Sequence, residues 1–515
     1  RFEQPHDSTM THALPQKSPT LSRLLLLAIL LLAGGLRIFH LGYMSVWIDE
    51  IASLQFAGGW LAGSVPPPNV LHNPGIDMTD NSQPATKIWH AVDGDTHPPI
   101  YFLLLRLWRD AFGAGDVATR SLSVVCSLLS IFLLYDAARL LHGESVAFWA
   151  AAIMAVATPQ IVFAQEARGY AMVTMFILAM ADAIARIETL GPSTRRLFAL
   201  ASATFFAAMT HYLALPAALA LCVYALIRLR GHSRRRTLYA FLIAAAIFLL
   251  IWGRTAWHQR ENFVTHLAWL GDNSPGIAGR TLDRLAALPL QFFITPKQTD
   301  ARSSLTRIAA VLYLIPLLAI RRRGVLLWIL LAAAIIASTA AADLIQHRKA
   351  LATLRFTIPA AVAAYALVPA VASLLPRKWM MHLVPALFVV SCLAAIPEAY
   401  NQYWKPSYRA FAKSLDADAG PDDVIVVIYE FPQINWPESM LLAGMTHYSQ
   451  RPHRPLLVLT HPIDARQWRA LRSAPGVWLL ADSESPPIER FIPGAKISSI
   501  GETPFVGAYF QLQMP

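Results

Sequence analysis

The chain has 515 residues, of which 55% are hydrophobic and only 15% are charged, and its formal net charge is +11. This composition is too apolar for a soluble globular protein of this length, so the sequence predicts a polytopic α-helical membrane protein. We interpret the positive charge as a topology signal from loops near anionic lipid headgroups, and we expect membrane lipids and no nucleic acid among the partners.

The apolar segments predict about eleven transmembrane helices, each with ends that are uncertain by a few residues. In chain order the segments are Leu24–Phe39, Leu122–Leu141, Val146–Ile161, Ala171–Ile187, Leu197–Met209, Leu213–Ile227, Leu238–Trp252, Leu305–Ile320, Val325–Ala342, Thr357–Leu375 and Trp379–Ile396. The arginine clusters between them fall on one side of the membrane if residues 1–20 form a cytoplasmic N-terminal segment. Residues 21–396 are therefore expected to form the transmembrane module.

The segment Ile100–Phe112 is apolar but shorter than a span, and it carries Arg106, Arg109 and Asp110. Counting it as a crossing would move every later arginine cluster to the opposite side. We therefore predict an amphipathic helix on the outer membrane surface, with its leucines facing lipid. Residues 41–118 then form one long external loop.

The composition changes after Ile396, where Pro and charged residues become frequent. Short β-rich runs at Val424–Tyr429, Leu456–Leu459 and Val477–Leu480 alternate with helical patterns. This alternation predicts a small C-terminal α/β domain over residues 397–515. An odd number of crossings places this domain on the external side, beside the long loop.

Two adjacent carboxylates, Asp49 and Glu50, follow the first apolar segment in Trp47-Ile48-Asp49-Glu50. A carboxylate costs about 2.5–3.5 kcal/mol at the centre of a spanning helix, so acidic pairs near lipid tend to lie in polar cavities that have a function. We expect the chemistry of the protein to begin at this pair.

These residues belong to a set of motifs that resembles the GT-C superfamily of integral-membrane glycosyltransferases. The nearest relatives are the protein mannosyltransferases, the aminoarabinose transferases and the Rgt-type (RgtA-B-C-D-like) galacturonosyltransferases. The motifs are, in chain order, Leu36-Arg37, Trp47-Ile48-Asp49-Glu50-Ile51-Ala52-Ser53, Thr96-His97-Pro98-Pro99-Ile100-Tyr101 with Leu107-Trp108 and Phe112-Gly113, Pro159 with Gln165-Glu166-Ala167-Arg168-Gly169-Tyr170, Thr210-His211-Tyr212, and Arg355-Phe356 before Pro359. The resemblance covers roughly residues 24–400.

The resemblance implies a glycosyltransferase that moves a sugar from a polyprenyl-phosphate carrier to an acceptor hydroxyl outside the cytoplasmic membrane. By the family pattern Asp49 is the catalytic base, and attack opposite the phosphate would invert the anomeric centre. Glu50 either orients the acceptor or caps the short helix. Glu166 is expected to bind the acceptor or the donor sugar, with a local salt bridge to Arg168 as the alternative.

Arg355 is expected to bind the carrier phosphate, because its planar fork matches phosphate bidentately. The alternative is an arginine that snorkels to the interface. His97 replaces the basic residue of some relatives, and imidazole binds phosphate well only when it is protonated. The remaining candidate substrate-binding residues are Arg168, Tyr170, His211 and Tyr212. For the pair His211-Tyr212 a hydrogen-bonded structural role is the alternative.

The carboxylates of Asp49, Glu50 and Glu166 are oxygen ligands of the kind that Mg²⁺ or Mn²⁺ prefers, but their spacing is not that of a dedicated site. We expect no metal site and no required cofactor. The acceptor is a glycolipid, lipid A or its core, or a protein, and the expected location is the inner membrane of a bacterium with the site facing the periplasm. The alternative function is a transporter or flippase of lipid-linked envelope intermediates, which would show paired halves and discontinuous helices.

Overall fold

The computed structural model describes residues 19–80, 83–266, 268–272, 274–294, 315–401, 405–429, 436–481, 488–503 and 506–514. The α-helices are α1 (Pro19–Ile38), α2 (Ile48–Ala57), α3 (Lys87–Asp93), α4 (Ile100–Phe112), α5 (Asp116–His142), α6 (Glu144–Val156), α7 (Thr158–Ala164), α8 (Tyr170–Leu190), α9 (Thr194–Thr210), α10 (Ala214–Arg228), α11 (Gly231–His266), α12 (Ile277–Gln291), α13 (Val325–Ile345), α14 (Ile358–Ala372), α15 (Met380–Ala394), α16 (Ile396–Tyr400), α17 (Tyr408–Asp418), α18 (Trp436–Tyr448), α19 (Ala465–Ser473) and α20 (Ile488–Phe491). Most of the described chain up to α16 is therefore helical.

Among the described residues, five helices are long and apolar enough to cross a membrane, namely α1, α5, α8, α11 and α13. A sixth span results if α6 and α7, which are bent by 60° at their junction, count as one. Three further apolar helices, α10, α14 and α15, are shorter than a span. The multi-pass fold is confirmed with five or six spans. The number of about eleven stays a prediction, and its segment Leu305–Ile320 lies mostly outside the described residues.

Helix α6 packs against both α5 and α14. Its residues Ala147, Ala150 and Ala151 are fully buried in the largest hydrophobic cluster of the bundle. Small side chains let helix backbones approach closely, and close approach is how spanning helices gain van der Waals contact without a hydrophobic driving force. The alanine-rich sequence of α6 thus explains its central position.

The arginine clusters meet at one end of the bundle, which we call the arginine-rich end and define by Asp136, Arg186, Glu188, Arg228 and Arg323. Arg186 contacts Asp136 near the end of α5. Glu188 lies 3.1 Å from Arg228 and 3.7 Å from Arg323. These arginines therefore lie on one side of the bundle, as the topology prediction requires, and they pair with carboxylates of the protein itself.

The loop of residues 41–118 contains α2, α3 and α4. Helix α4 has the bounds predicted for the amphipathic helix, and at 13 residues it is not a candidate span. Leu104 and Leu107 are exposed, Arg106 pairs with Asp110 at 2.9 Å, and Arg109 is buried. The predicted helix and its bounds are thus confirmed, and its position on the outer membrane surface stays a prediction.

A mixed sheet of six strands lies in the C-terminal region, with the order β1-β3-β2-β4-β6-β5. The strands are β1 (Leu71–His72), β2 (Val424–Ile428), β3 (Leu456–Leu459), β4 (Val477–Ala481), β5 (Lys496–Thr503) and β6 (Gly507–Gln513). The parallel strands β3, β2 and β4 are fully buried and confirm the three predicted strands, since buried parallel strands read as continuous apolar runs. The antiparallel strands β5 and β6 are not predicted, because Ser and Gly interrupt the apolar pattern of β5.

The first loop contributes strand β1 to this sheet. Leu71 pairs with Leu457 in antiparallel register. Asn69 holds the loop against strand β3, because its backbone N–H donates to the Val458 carbonyl at 2.6 Å and its side-chain oxygen accepts from the Thr460 N–H at 3.0 Å. The loop and the C-terminal region thus form one unit.

The C-terminal region contacts the bundle at Asp116, the first residue of α5. Its carboxylate accepts hydrogen bonds from Arg409 and Tyr448, both at 2.6 Å, and lies 3.0 Å from the His447 ring. A cavity of about 860 Å³ opens at this seam between Arg109 and Arg409. None of the predicted site residues lines this cavity, so it is separate from the site described next.

Candidate active site

Asp49 lies in the first turn of α2, where Arg355 contacts it directly. The Nη1 group of Arg355 donates a hydrogen bond to Oδ2 of Asp49 across 306 positions of sequence. The side chain of Asp49 is 21% exposed and that of Arg355 is 13% exposed, so the pair is only partly shielded from solvent. The structure therefore brings together the predicted base and the predicted phosphate-binding residue.

Aromatic rings surround the Arg355 guanidinium. Its central carbon lies 5.7 Å from the ring centre of Trp47, 5.0 Å from that of Trp269 and 5.5 Å from that of Phe356. Cation–π contacts of this kind hold a guanidinium at a fixed position without using its hydrogen-bond donors. The Nε donor of Arg355 is buried and has no hydrogen-bond partner among the described residues. Arg355 thus keeps a donor for a ligand.

The position of Arg355 is set by the buried carboxylate of Asp343 at the end of α13. Asp343 accepts hydrogen bonds from the N–H groups of Ala350 at 2.5 Å and Leu351 at 3.3 Å, at the start of a 3₁₀ turn (Ala350–Ala352). Arg284 closes the arrangement by donating to Asp343 at 3.2 Å. Because a second 3₁₀ turn that contains Arg355 follows directly, these contacts fix the approach of Arg355 to the site.

Glu50 is fully buried and faces away from Asp49, toward α5. Its two oxygens accept from Nε and Nη2 of Arg120 at 2.7 and 2.8 Å, and Oε1 also accepts from the Ala167 N–H at 2.9 Å. Although burial opposes the charged form, Arg120 holds the pKa of Glu50 below its ordinary value. Both oxygens are thus satisfied by buried donors. The geometry favours a structural role for Glu50 over the predicted catalytic one.

Arg120 uses its remaining donors on backbone carbonyls of the chain before α2. It donates to the carbonyls of Leu41 and Met44, both at 2.8 Å, and of Ser45 at 3.2 Å. A guanidinium that bridges a carboxylate and three carbonyls holds the local backbone in one conformation. The pair Glu50–Arg120 therefore orients α2, and with it the side chain of Asp49.

Glu166 lies between α7 and α8 and pairs with Lys405, not with Arg168 as the local alternative predicted. The Nζ group of Lys405 lies 2.7 Å from Oε1 of Glu166, and the two side chains are 3% and 4% exposed. Burial raises the pKa of Glu166 above its ordinary value, and the Lys405 charge counteracts only part of this shift. Lys405 also lies 5.2 Å from the Trp47 ring centre. It therefore belongs to the same site as Arg355.

Arg168 lies buried behind Asp49. Its Nη1 group donates to the Asp49 carbonyl and to Oγ of Ser53, both at 3.2 Å, while Nη2 lies 3.4 Å from Nε2 of His97. His97 in turn lies 2.7 Å from Asp95 through Nδ1, so its ring supports Arg168 as a hydrogen-bond acceptor. Arg168 has no carboxylate within ion-pair distance among the described residues. The carboxylates of Asp49 and Asp95 act on its charge through space, without direct contact.

The other predicted substrate-binding residues divide into two groups. Tyr170 and His211 are buried with ring centres 5.5 Å apart, and His97 lies 5.1 Å from His211. Burial holds the pKa of His211 well below its ordinary value, and its Nε2 has no partner among the described residues. Tyr212 instead accepts from Trp252 at 3.0 Å and donates to a glutamine of α11, which is the structural alternative.

Several residues of the site are not predicted from the sequence, namely Arg120, Trp269, Asp343 and Lys405. Arg120 and Asp343 closely flank predicted apolar segments and lie within helices α5 and α13, and charges so close to a span are rare enough to be a usable signal. Lys405 and Trp269 lie in segments of ordinary composition, so the sequence contains no signal for them.

Among the residues that the structure describes, no three His, Cys, Asp or Glu side chains converge as metal ligands would. Asp49, Glu50 and Glu166 each contact a cationic side chain of the protein instead. The expectation that no metal is required stays a prediction.

The chain is similar to known proteins in part of its sequence and in its fold. Residues 96–254 match the sequence profile of the family described as dolichyl-phosphate-mannose-protein mannosyltransferase. The crystal structure of ArnT from Cupriavidus metallidurans bound to undecaprenyl phosphate is similar over 96% of this chain and 98% of that chain, with a TM-score of 0.58 and 14% sequence identity. The chain has the fold of ArnT. The apo structure of ArnT is similar over the same shares, with a TM-score of 0.54 and 13% identity.

The predicted resemblance to the GT-C superfamily is therefore confirmed at the level of the fold. The similarity to ArnT covers both the bundle and the C-terminal sheet, whereas the family profile matches the stretch from the end of the first loop to α11. No curated protein matches the chain in sequence.

Proposed function

We propose that the protein transfers a sugar from a polyprenyl-phosphate carrier to an acceptor hydroxyl at the external face of a bacterial inner membrane. The observation that carries the proposal is the contact between the Asp49 carboxylate and the Arg355 guanidinium, with buried Arg168 beside them. The ArnT-like fold and the mannosyltransferase profile support the same class of reaction.

The two arginines suit the phosphate of the donor. Arg355 offers a planar fork and a buried Nε donor that has no partner among the described residues, while Arg168 adds a second positive charge that forms no direct ion pair among those residues. Buried cations act on a phosphate in surroundings of low dielectric constant, where they stabilise developing negative charge more than in water. They would therefore stabilise the polyprenyl phosphate as it leaves.

Asp49 is then the general base. When a phosphate takes the Arg355 donors, the Asp49 carboxylate is released to accept the proton of the acceptor hydroxyl. The acceptor oxygen forms a bond to the anomeric carbon as the bond from that carbon to the phosphate oxygen breaks, and the electron pair leaves with the phosphate. Attack from the side opposite the phosphate inverts the anomeric centre. Binding of the carrier phosphate would thus expose the base.

The orientation follows from the two ends of the bundle. Asp49 and Arg355 lie at the end opposite the arginine-rich end, and cytoplasmic loops carry an excess of Lys and Arg. The site would therefore face the periplasm, together with the C-terminal region. The acceptor class, whether glycolipid, lipid A or its core, or protein, is left open by this geometry.

A transporter or flippase is the competing function. Such folds place broken helices in matching positions of two repeats, with charged residues near mid-membrane. The described residues contain one bent pair, α6 and α7, and no second that matches it. The carboxylates of the site lie at one end of the bundle, in a loop and in a short helix. These features favour the transferase.

The test is transfer by purified protein in proteoliposomes that contain undecaprenyl-phosphate-linked sugars and an extract of envelope glycolipids. We expect labelled sugar to move onto an acceptor without added metal, including in the presence of EDTA. Movement of the intact labelled donor between leaflets, without release of polyprenyl phosphate, would instead support the flippase and contradict the proposal.

A further inference from the structure

Lys405 is a buried cation in the chain segment that links the bundle to the C-terminal region. It reaches Glu166 across 239 positions of sequence, and its side chain is 3% exposed. Burying a Lys and a Glu removes both charges from water, which costs more than their attraction returns unless the geometry is good. Stability alone therefore does not explain why this pair is buried.

The pair Glu50–Arg120 shows how this fold satisfies a carboxylate that is purely structural. Both oxygens of Glu50 accept hydrogen bonds from buried donors. Glu166 differs, because only Oε1 is bonded, whereas Oε2 is buried without a partner among the described residues. A buried acceptor without a donor is costly, and an oxygen left this way beside a binding site indicates a ligand group.

We propose that Lys405 is a positioning residue that fixes one oxygen of Glu166 and leaves the other, Oε2, to accept hydrogen bonds from hydroxyl groups of the transferred sugar. This inference rests on the proposed function. The ligand would be a neutral ring hydroxyl, since Lys405 already supplies the positive charge that an amino group would otherwise bring. The segment before the C-terminal region thus completes the sugar site from outside the bundle.

The charges that face Glu166 define what Lys405 contributes. Asp49 and Glu50 on α2 are both negative and disfavour a third carboxylate, and burial acts in the same direction. Lys405 is the cation that opposes them most strongly. Without Lys405 the pKa of Glu166 would rise further, so the carboxyl would stay protonated to a higher pH than in the parent protein. A protonated carboxyl presents a donor where the sugar needs an acceptor.

The experiment compares Lys405→Met, Lys405→Arg and the matched control Lys413→Met, which removes an exposed lysine of the same region. Transfer rates are measured from about pH 6 to about pH 9. We expect Lys405→Met to lose about tenfold or more in kcat/KM at neutral pH and to recover part of this loss as the pH rises, because one pKa unit changes the ionised fraction up to tenfold. Lys405→Arg should keep most of the rate, and Lys413→Met all of it.

A Lys405→Met protein whose pH profile is parallel to that of the parent would overturn the inference, whatever its absolute rate.

Infrared spectroscopy supplies a readout that does not need transfer. The Lys405→Met protein should show an absorption of a protonated carboxyl that disappears in the double variant with Glu166→Gln. If the parent transfers no sugar, the proposed function fails, whereas absence of this band refutes the link between Lys405 and the charge of Glu166. If Lys405→Met does not fold, Glu166→Gln alone should fold and lose the same sugar contact, and full activity of that variant would also contradict the inference.

Discussion

The two ends of the helix bundle both collect arginines and carboxylates, but in different surroundings. At the arginine-rich end the side chains of Arg228 and Arg323 are 37% and 49% exposed. At the opposite end the side chain of Arg120 is 2% exposed and that of Arg355 is 13% exposed. The arginine side chains are therefore hydrated at one end and largely desolvated at the other.

This difference in exposure decides how much stability is lost when one member of an ion pair is removed. Exposed ion pairs contribute roughly 0–1 kcal/mol, because water and salt screen them. A buried charge whose partner is removed has no such screening and costs about 3–5 kcal/mol. The end that contains Asp49 and Arg355 should therefore respond sharply to substitution, and the arginine-rich end only weakly.

The largest expected effect is on catalysis at Asp49. Asp49→Asn keeps the shape and hydrogen bonding of the side chain but removes its basicity, so turnover should fall by about 10²–10⁴-fold while donor binding is largely kept. Transfer kinetics and donor binding on the purified protein check this expectation. A role as helix cap predicts the opposite, because Asn caps a helix as well as Asp does. Transfer near the parental rate would therefore remove Asp49 as the base.

Next in size is the stability effect at Glu50. Glu50→Gln leaves Arg120 buried without its counter-charge, and we expect a loss of about 3–5 kcal/mol in unfolding free energy. Thermal unfolding in detergent measures the change. The matched control is Asp110→Asn, which breaks the ion pair between Asp110 and Arg106. Because the side chain of Asp110 is 48% exposed, this variant should lose less than about 1 kcal/mol of unfolding free energy. Equal losses in both variants would show that burial does not distinguish the two pairs.

The residues of the site differ in how far the sequence predicts them. Asp49 and Arg355 are predictable, because the motifs around them match a known family and topology brings both to one end of the bundle. Helix α4 is predictable from its short apolar run and its arginines. Lys405 is different, since it contacts Glu166 across 239 positions of sequence, and no local pattern records such a contact.

The fold shows the same division. The buried strands β2, β3 and β4 are read correctly from continuous apolar runs. Strand β1 has two residues and lies in the first loop, so only its pairing with β3 defines it as a strand. The sequence specifies the number of spans least sharply, because several apolar helices are shorter than the roughly 20 residues that cross a bilayer upright.

A smaller effect is expected at Arg355, which is partly exposed. Arg355→Ala removes charged hydrogen bonds to the donor phosphate, each worth roughly 1.5–3 kcal/mol, so donor use should weaken by about 10- to 150-fold. Arg355→Lys should recover only part of the loss, because Lys keeps the charge but not the fork. Titration of the protein with polyprenyl phosphate separates binding from turnover. Parental kinetics in Arg355→Ala would refute the phosphate assignment.

The smallest effect is expected at the arginine-rich end, at Arg228. Arg228→Gln removes a contact of 3.1 Å with Glu188, but that carboxylate keeps the Tyr224 hydroxyl at 2.6 Å and Arg323 at 3.7 Å. Because the side chain of Arg228 is 37% exposed, we expect a stability change within about 1 kcal/mol that shrinks in high salt, and no change in transfer rate. Thermal unfolding at low and high salt, together with the transfer assay, measures both quantities. If Arg228→Gln slowed transfer as strongly as Arg355→Ala, the two ends would be coupled through the bundle, and the distinction between hydrated and desolvated pairs would not account for where the activity resides.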